Sequence, residues 1–460
     1  MWIVTPSVPR NDGRSKASPP AWAVAISLRP GSHCAGTIMK LKRKLLVVAG
    51  SGASIDFGMP SVSDIDRFFR LTALQNFPLT SDPQRSLYDH VYGVIRDFWR
   101  ECDPGAQRLS KPNFEDILYA LYALAGVRPH GVMTGGLAAL VDAKPLPDVT
   151  WFGRDFVSGM PVLDEFIEHL ATNLVAKFRK ICARSDANRT PEIEELHGFF
   201  AALKDEFDIA VVSVNYDNII FRTLPDLVTG FDIGGTNLFG QERILNTSSW
   251  TKILHLHGSV HFDRIATGCN FGEIVWRDNL AGSFSTAQFG LPYNREAVSY
   301  PSATIIAGHG KAAQLLGPPF RTYYSALDWM VLESDALLVL GYGFGDHHLN
   351  QPLNQYRDSR NRPIVLIDKA CDNTLTAGSD RNQAHPAVVR ALDWFDTPAY
   401  SMSWLGYSFP DSVARLKAEK EFELSTDPTR PLAIWYGGML DACRNADKIV
   451  RELRASPVIS

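Results

Sequence analysis

Five short apolar runs punctuate the chain, and each stops at glycine, asparagine or aspartate. Residues 45–49 (Leu-Leu-Val-Val-Ala) run into Gly50-Ser51-Gly52-Ala53-Ser54. Residues 209–214 stop at Asn215-Tyr216-Asp217-Asn218, and 252–257 alternate before Gly258. Residues 336–340 end at Gly341, and 364–367 at Asp368-Lys369. Continuous apolar runs of this length read as strands buried on both faces, as in a parallel sheet. Helical periodicity fills the intervals: 63–74 with Ser63 as N-cap, 87–99, 113–125 with Asn113 as cap, 162–181 and 191–207. Residues 126–159, rich in Gly, Pro and Asp, read as loop. The patterns of 264–330 and 373–460 are weaker: the first reads as a mixed insertion, the second as a cap with helices near 410–423 and 440–453. The prediction is an α/β protein built on an open, doubly wound parallel sheet, with a large helical insertion at about 63–207 and a C-terminal helical cap. In such sheets ligands bind beyond the carboxyl ends of the strands, which is where the unusual residues fall. No repeat of solenoid period is present.

Composition narrows the class. A chain of 460 residues has room for two or three domains. The expected division is a tail at 1–38, a ligand-binding domain at 39–372 with the helical insertion, and the cap at 373–460. The tail carries Arg10, Arg14, Lys16 and Arg29 against Asp12 alone, a composition shared by transit peptides. It also fits an over-extended start, since Met39 directly precedes Lys40-Leu41-Lys42-Arg43 and the first strand. A net charge of −4 is no footprint for nucleic acid or an anionic membrane, and direct binding to either is not expected. No apolar run reaches membrane-spanning length. The six cysteines (34, 102, 182, 269, 371 and 443) form no C-x-x-C pair, which speaks against a zinc ribbon or a disulfide framework and for the cytoplasm.

Four motifs sit at the strand ends. Gly50-Ser51-Gly52-Ala53-Ser54, followed by Gly58-Met59-Pro60, would let a backbone approach a pyrophosphate, or serve merely as a turn. Asn215 and Asp217 would hold a water or ribose hydroxyl, or simply cap the next helix. His255-Leu256-His257-Gly258-Ser259 offers a general base near neutral pH. His255, His257 and His261 also raise the question of metal, but no further ligand stands at recognisable spacing. Gly341-Tyr342-Gly343-Phe344-Gly345-Asp346, with His348 and Asn350 beyond, reads as a ligand loop or a polar helix start.

In their order these four blocks, spread from residue 45 to about 370, resemble the sirtuin signature, and most of all the zinc-less sirtuin-like domains of bacterial antiphage defence proteins. The resemblance implies a Rossmann-like fold with NAD as substrate. Gly50, Ser51, Gly52, Ala53, Ser54 and Pro60 would hold its phosphates, with Gly341, Phe344 and Asp346 in a late nucleotide loop and Asp368 on the adenosine half. Asn215, His257 and Asp217 would be catalytic. No zinc is expected, because the four-cysteine module of deacylating sirtuins is missing and a helical insertion stands at 63–207. The implied activity is NAD hydrolysis to nicotinamide and ADP-ribose, in antiphage defence by NAD depletion. The alternatives are a protein deacylase and a non-catalytic ADP-ribose or NAD sensor. Control by a homo-oligomer, a partner ATPase or another sensor of the defence system is expected.

Overall fold

A computed structural model describes residues 42–102, 111–125, 146–159, 162–187, 190–267, 270–282, 304–306, 315, 317–359, 362–376, 384–395, 413–425 and 431–455. The expected tail at 1–38 lies outside these residues. Eleven strands are described: β1 (Arg43–Ala49), β2 (Val149–Trp151), β3 (Arg154–Phe156), β4 (Phe207–Ser213), β5 (Ile253–His255), β6 (Phe262–Thr267), β7 (Asn270–Trp276), β8 (Ala336–Leu340), β9 (Ile364–Ile367), β10 (Glu423–Leu424) and β11 (Leu432–Trp435). Seven of them form one sheet in the order β10-β11-β9-β8-β1-β4-β5, parallel except for the β10–β11 pair. The α/β doubly wound class is as expected.

The apolar runs are continuous because the sheet is covered on both sides. In β1, Leu45, Val47 and Ala49 pack with Phe69, Phe166 and Leu196 of the inserted helices. Leu46 and Val48 face the other way, onto Leu327, Leu353 and Val388. Strand alternation sends successive side chains to opposite faces, so a run with two buried faces has no polar position to spare. β1 is the central strand, with Val47 in register with Val211 of β4 and Leu338 of β8. From β1 the chain steps outward through β4 and β5, then returns to the other side through β8, β9 and β11. The order therefore reverses at β1, and that reversal opens a crevice above its carboxyl end.

Several expectations need amending. The first long helix is Val62–Asn76, capped by Ser61 rather than Ser63, since Ser61 and Asp64 form a reciprocal capping box. Asn113 does cap its helix, accepting from the amides of Glu115 and Asp116. The loop region contains the β2–β3 hairpin. The mixed insertion contains the β6–β7 hairpin and the helix Phe320–Glu333. The segment after 372 is not only a helical cap, because β11 pairs with β9 and extends the sheet. No described helix is long and apolar enough to cross a membrane.

Candidate functional site

A cavity of about 310 Å³ opens above the carboxyl ends of the central strands, within the size range of small-molecule sites. Its floor comes from strand ends: Gly50 and Ser51 after β1, Asn215 and Asp217 after β4, His257 after β5, and Gly343, Gly345 and Asp346 after β8. Its roof comes from Met59 and Pro60 after the glycine turn and from the helices that follow, through Val62, Ile65, Phe114 and Phe178. This side of the cavity is mainly apolar, with Asn113 and Glu115 among it, and the strand-end side is mainly polar.

His257 is held by a residue 89 positions away. Its Nε2 lies 2.6 Å from Asp346 Oδ2, and both side chains are buried. A charge-assisted bond of this kind fixes the ring and stabilises an imidazolium when the histidine takes a proton. Oδ1 of the same carboxylate accepts from the His348 amide at 2.9 Å, so Asp346 both caps the helix His347–Ser359 and orients the histidine. The backbone at His257 is locked as well. Its carbonyl accepts from Ile306 N–H at 2.9 Å. Gly258 has φ +92°, and a Cβ there would stand 2.2 Å from the Thr304 carbonyl oxygen.

On the facing side, Asn215 Nδ2 donates to Gly50 O at 2.8 Å and Ser54 Oγ at 3.2 Å. Ser54 Oγ in turn donates to Asp217 Oδ1 at 3.1 Å, which also accepts from Ile219 N–H at 3.0 Å. Burial pushes the Asp217 carboxyl up to about 6, against the downward pull of these bonds. Asp217 therefore titrates near neutrality, as groups in functional clefts often do. Tyr216 anchors the segment by donating to Ile306 O at 3.0 Å and meeting Phe178 edge to face.

The glycine turn is put to a use that its sequence does not disclose. Gly52 donates to Gly341 O at 3.0 Å, and a Cβ on Gly341 would lie 2.3 Å from the Gly52 carbonyl carbon. The glycines bring the loops after β1 and β8 into contact with each other. The amides of Gly50, Gly52, Ala53 and Ser54 all donate to chain carbonyls, those of Leu340, Gly341, Gly50 and Ser51.

Seven of the sequence-chosen residues therefore line one cavity: Gly50, Ser51, Pro60, Asn215, Asp217, His257 and Asp346. Ser54 touches it through Asp217. Gly52, Ala53 and Gly341 build the loop contact, and Phe344 is buried against Tyr342 and Phe395. Asp368, after β9, lies 3.5 Å from His385 Nδ1, and burial raises its pKa. The His-x-His pair does not converge. His255 sits among Phe221, Phe262 and Trp276, and burial pushes it down to about 3, so it is neutral. His261 stacks on Trp276 with ring centroids 4.4 Å apart. Among the described residues no group of three or more His, Cys, Asp or Glu is gathered to hold a metal ion. The sequence reading missed Glu115 and Arg390, which also line the cavity; neither lies in a recognisable motif.

Residues 209–387 match the SIR2-like domain family. The match takes in the loops after β4, β5, β8 and β9, while β1 and its glycine turn lie outside it. Among solved structures, a Sir2 homologue in complex with 2'-O-acetyl ADP-ribose aligns over 90% of this chain and 95% of its own, at 13% identity and a TM-score of 0.32. A Sir2 homologue–NAD complex aligns over 71% of this chain and 78% of its own, at 12% identity and a TM-score of 0.31. No curated protein matches the chain.

Proposed function

We propose that the protein cleaves NAD at the bond between nicotinamide and ribose, releasing nicotinamide and ADP-ribose. The observation that carries this reading is the buried His257–Asp346 pair facing Asn215 and Asp217 across one roofed cavity. The SIR2-like match over 209–387 supports a nicotinamide nucleotide as the ligand.

The leaving group is a cationic pyridinium, so the glycosidic C–N bond breaks with its electron pair passing to nicotinamide and no general acid is needed. Positive charge develops on the ribose as in other glycosidic cleavages. A water then bonds to the anomeric carbon, and its proton passes to His257, whose imidazolium is stabilised by Asp346. Asn215 orients the water or a ribose hydroxyl. Asp217, when ionised, faces the cationic ring. The apolar side chains of Met59, Ile65, Phe114 and Phe178 lower the polarity around these charges and so strengthen their action at short range. On this reading the helical insertion belongs to the enzyme's machinery. The motif resemblance extends the proposal to a cytoplasmic NAD-depleting role in antiphage defence, with activity restrained by self-association or by a partner ATPase or sensor.

Incubation of the purified full chain with NAD and no peptide tests it. Accumulation of nicotinamide and ADP-ribose in equal amounts supports hydrolysis. Release that depends on an acyl-lysine peptide establishes a deacylase instead, and binding of NAD without turnover establishes a sensor.

A further inference from the structure

The cavity has an electrostatic imbalance that the catalytic residues do not resolve. Glu115, Asp217 and Asp346 line it, and Arg390 is the single lysine or arginine among its described lining residues. A dinucleotide carries two anionic phosphates in its middle. The glycine turn is a poor source of compensating donors, because four of its amides already donate to chain carbonyls.

Arg390 projects from the helix Pro386–Phe395, which lies against the loop after β8 through the Phe344–Phe395 contact at 5.7 Å. Its Nε donates to Gly343 O at 2.5 Å. That bond aims the guanidinium at the cavity, and a Cβ on Gly343 would stand 3.5 Å from one of its terminal nitrogens. Burial raises the Asp368 carboxyl, and His385, the Lys369 amide and, least of the three, Arg390 pull it back down. A guanidinium offers paired donors matched to phosphate oxygens.

We infer that Arg390 is the diphosphate anchor of this site, binding the pyrophosphate of the dinucleotide and setting its preference for ligands that carry a diphosphate. The inference rests on the NAD reading above and adds the residue that holds the middle of the ligand. Its contribution is the same in ground and transition states, so it acts on binding and not on bond breaking.

The test is titration calorimetry of wild type, Arg390→Gln and Arg390→Lys with ADP-ribose, ADP and adenosine, alongside NAD turnover. Arg390 is exposed, so both variants are expected to fold. For Arg390→Gln the expected result is loss of affinity for ADP-ribose and ADP by about 10- to 100-fold, with adenosine binding unchanged. KM for NAD rises and kcat stays within about threefold. Arg390→Lys recovers part of the loss. Equal weakening of all three ligands would assign Arg390 a structural role through Gly343 and overturn the inference, as would unchanged ADP binding. Failure of wild type to bind ADP-ribose would instead overturn the NAD reading itself, and the anchor with it.

Discussion

Replacing Asp217 by asparagine removes a buried carboxylate while keeping the acceptor its neighbours use. Oδ1 accepts from Ser54 Oγ and from Ile219 N–H, and an asparagine carbonyl oxygen can take both bonds. What changes is the charge. The folded carboxyl titrates at about 6 against an ordinary 3.8, with burial the largest cause. The folded state thus holds this proton more tightly than the unfolded chain. Stability from this group is fully present below the unfolded pKa and is lost as pH rises through the folded one. The penalty works out at about 1.5 kcal/mol at pH 5 and about 3 kcal/mol at pH 7.5. Urea unfolding of wild type and Asp217→Asn at both values isolates it, because any fixed offset cancels between pH values. The variant should gain about 1.5 kcal/mol relative to wild type between pH 5 and pH 7.5. A pH-independent difference would refute the argument, and a difference of opposite sign would mean that the hydrogen bonds outweigh burial.

Four further outcomes follow from the same structure. Asp346→Asn preserves the shape of the His257 contact but removes its charge, and should lower kcat by about 10²- to 10⁴-fold with little change in KM by steady-state assay. Gly258→Ala places a Cβ against the Thr304 carbonyl at positive φ and should cost about 1–3 kcal/mol in chemical denaturation. Leu338→Ala empties a fully buried position in β8 and should cost about 2–5 kcal/mol. Phe178→Ala opens the apolar roof, and the proposed hydrolysis should slow while its products stay the same by chromatography.

The strands that form the middle of the sheet were legible because burial on both faces leaves each a continuous apolar run. β11 was not: it is a four-residue strand, Leu432–Trp435, in a region of weak pattern, and only pairing with β9 places it in the sheet. The β6–β7 hairpin was hidden for a related reason, since Asp263 and Arg264 interrupt its apolar positions. Candidate site residues could be located because they sit at strand ends, which the parallel fold collects on one side. Their partners could not. No local spacing joins His257 to Asp346, and the contact exists because the loops after β5 and β8 meet the same cavity. Arg390 was invisible for the same reason. The glycine turn shows the converse limit: its pattern suits a phosphate loop equally well as a close contact between two loops, and only the fold shows that contact between Gly52 and Gly341.

The most direct test of the account is nicotinamide and ADP-ribose release from NAD, without peptide, by wild type, Asn215→Ala and His257→Ala, each shown folded by thermal melting. Equal release of both products by wild type, reduced by at least about 10²-fold in both variants, is the predicted result. Full activity in His257→Ala, or no turnover of bound NAD by wild type at any protein concentration, would contradict it.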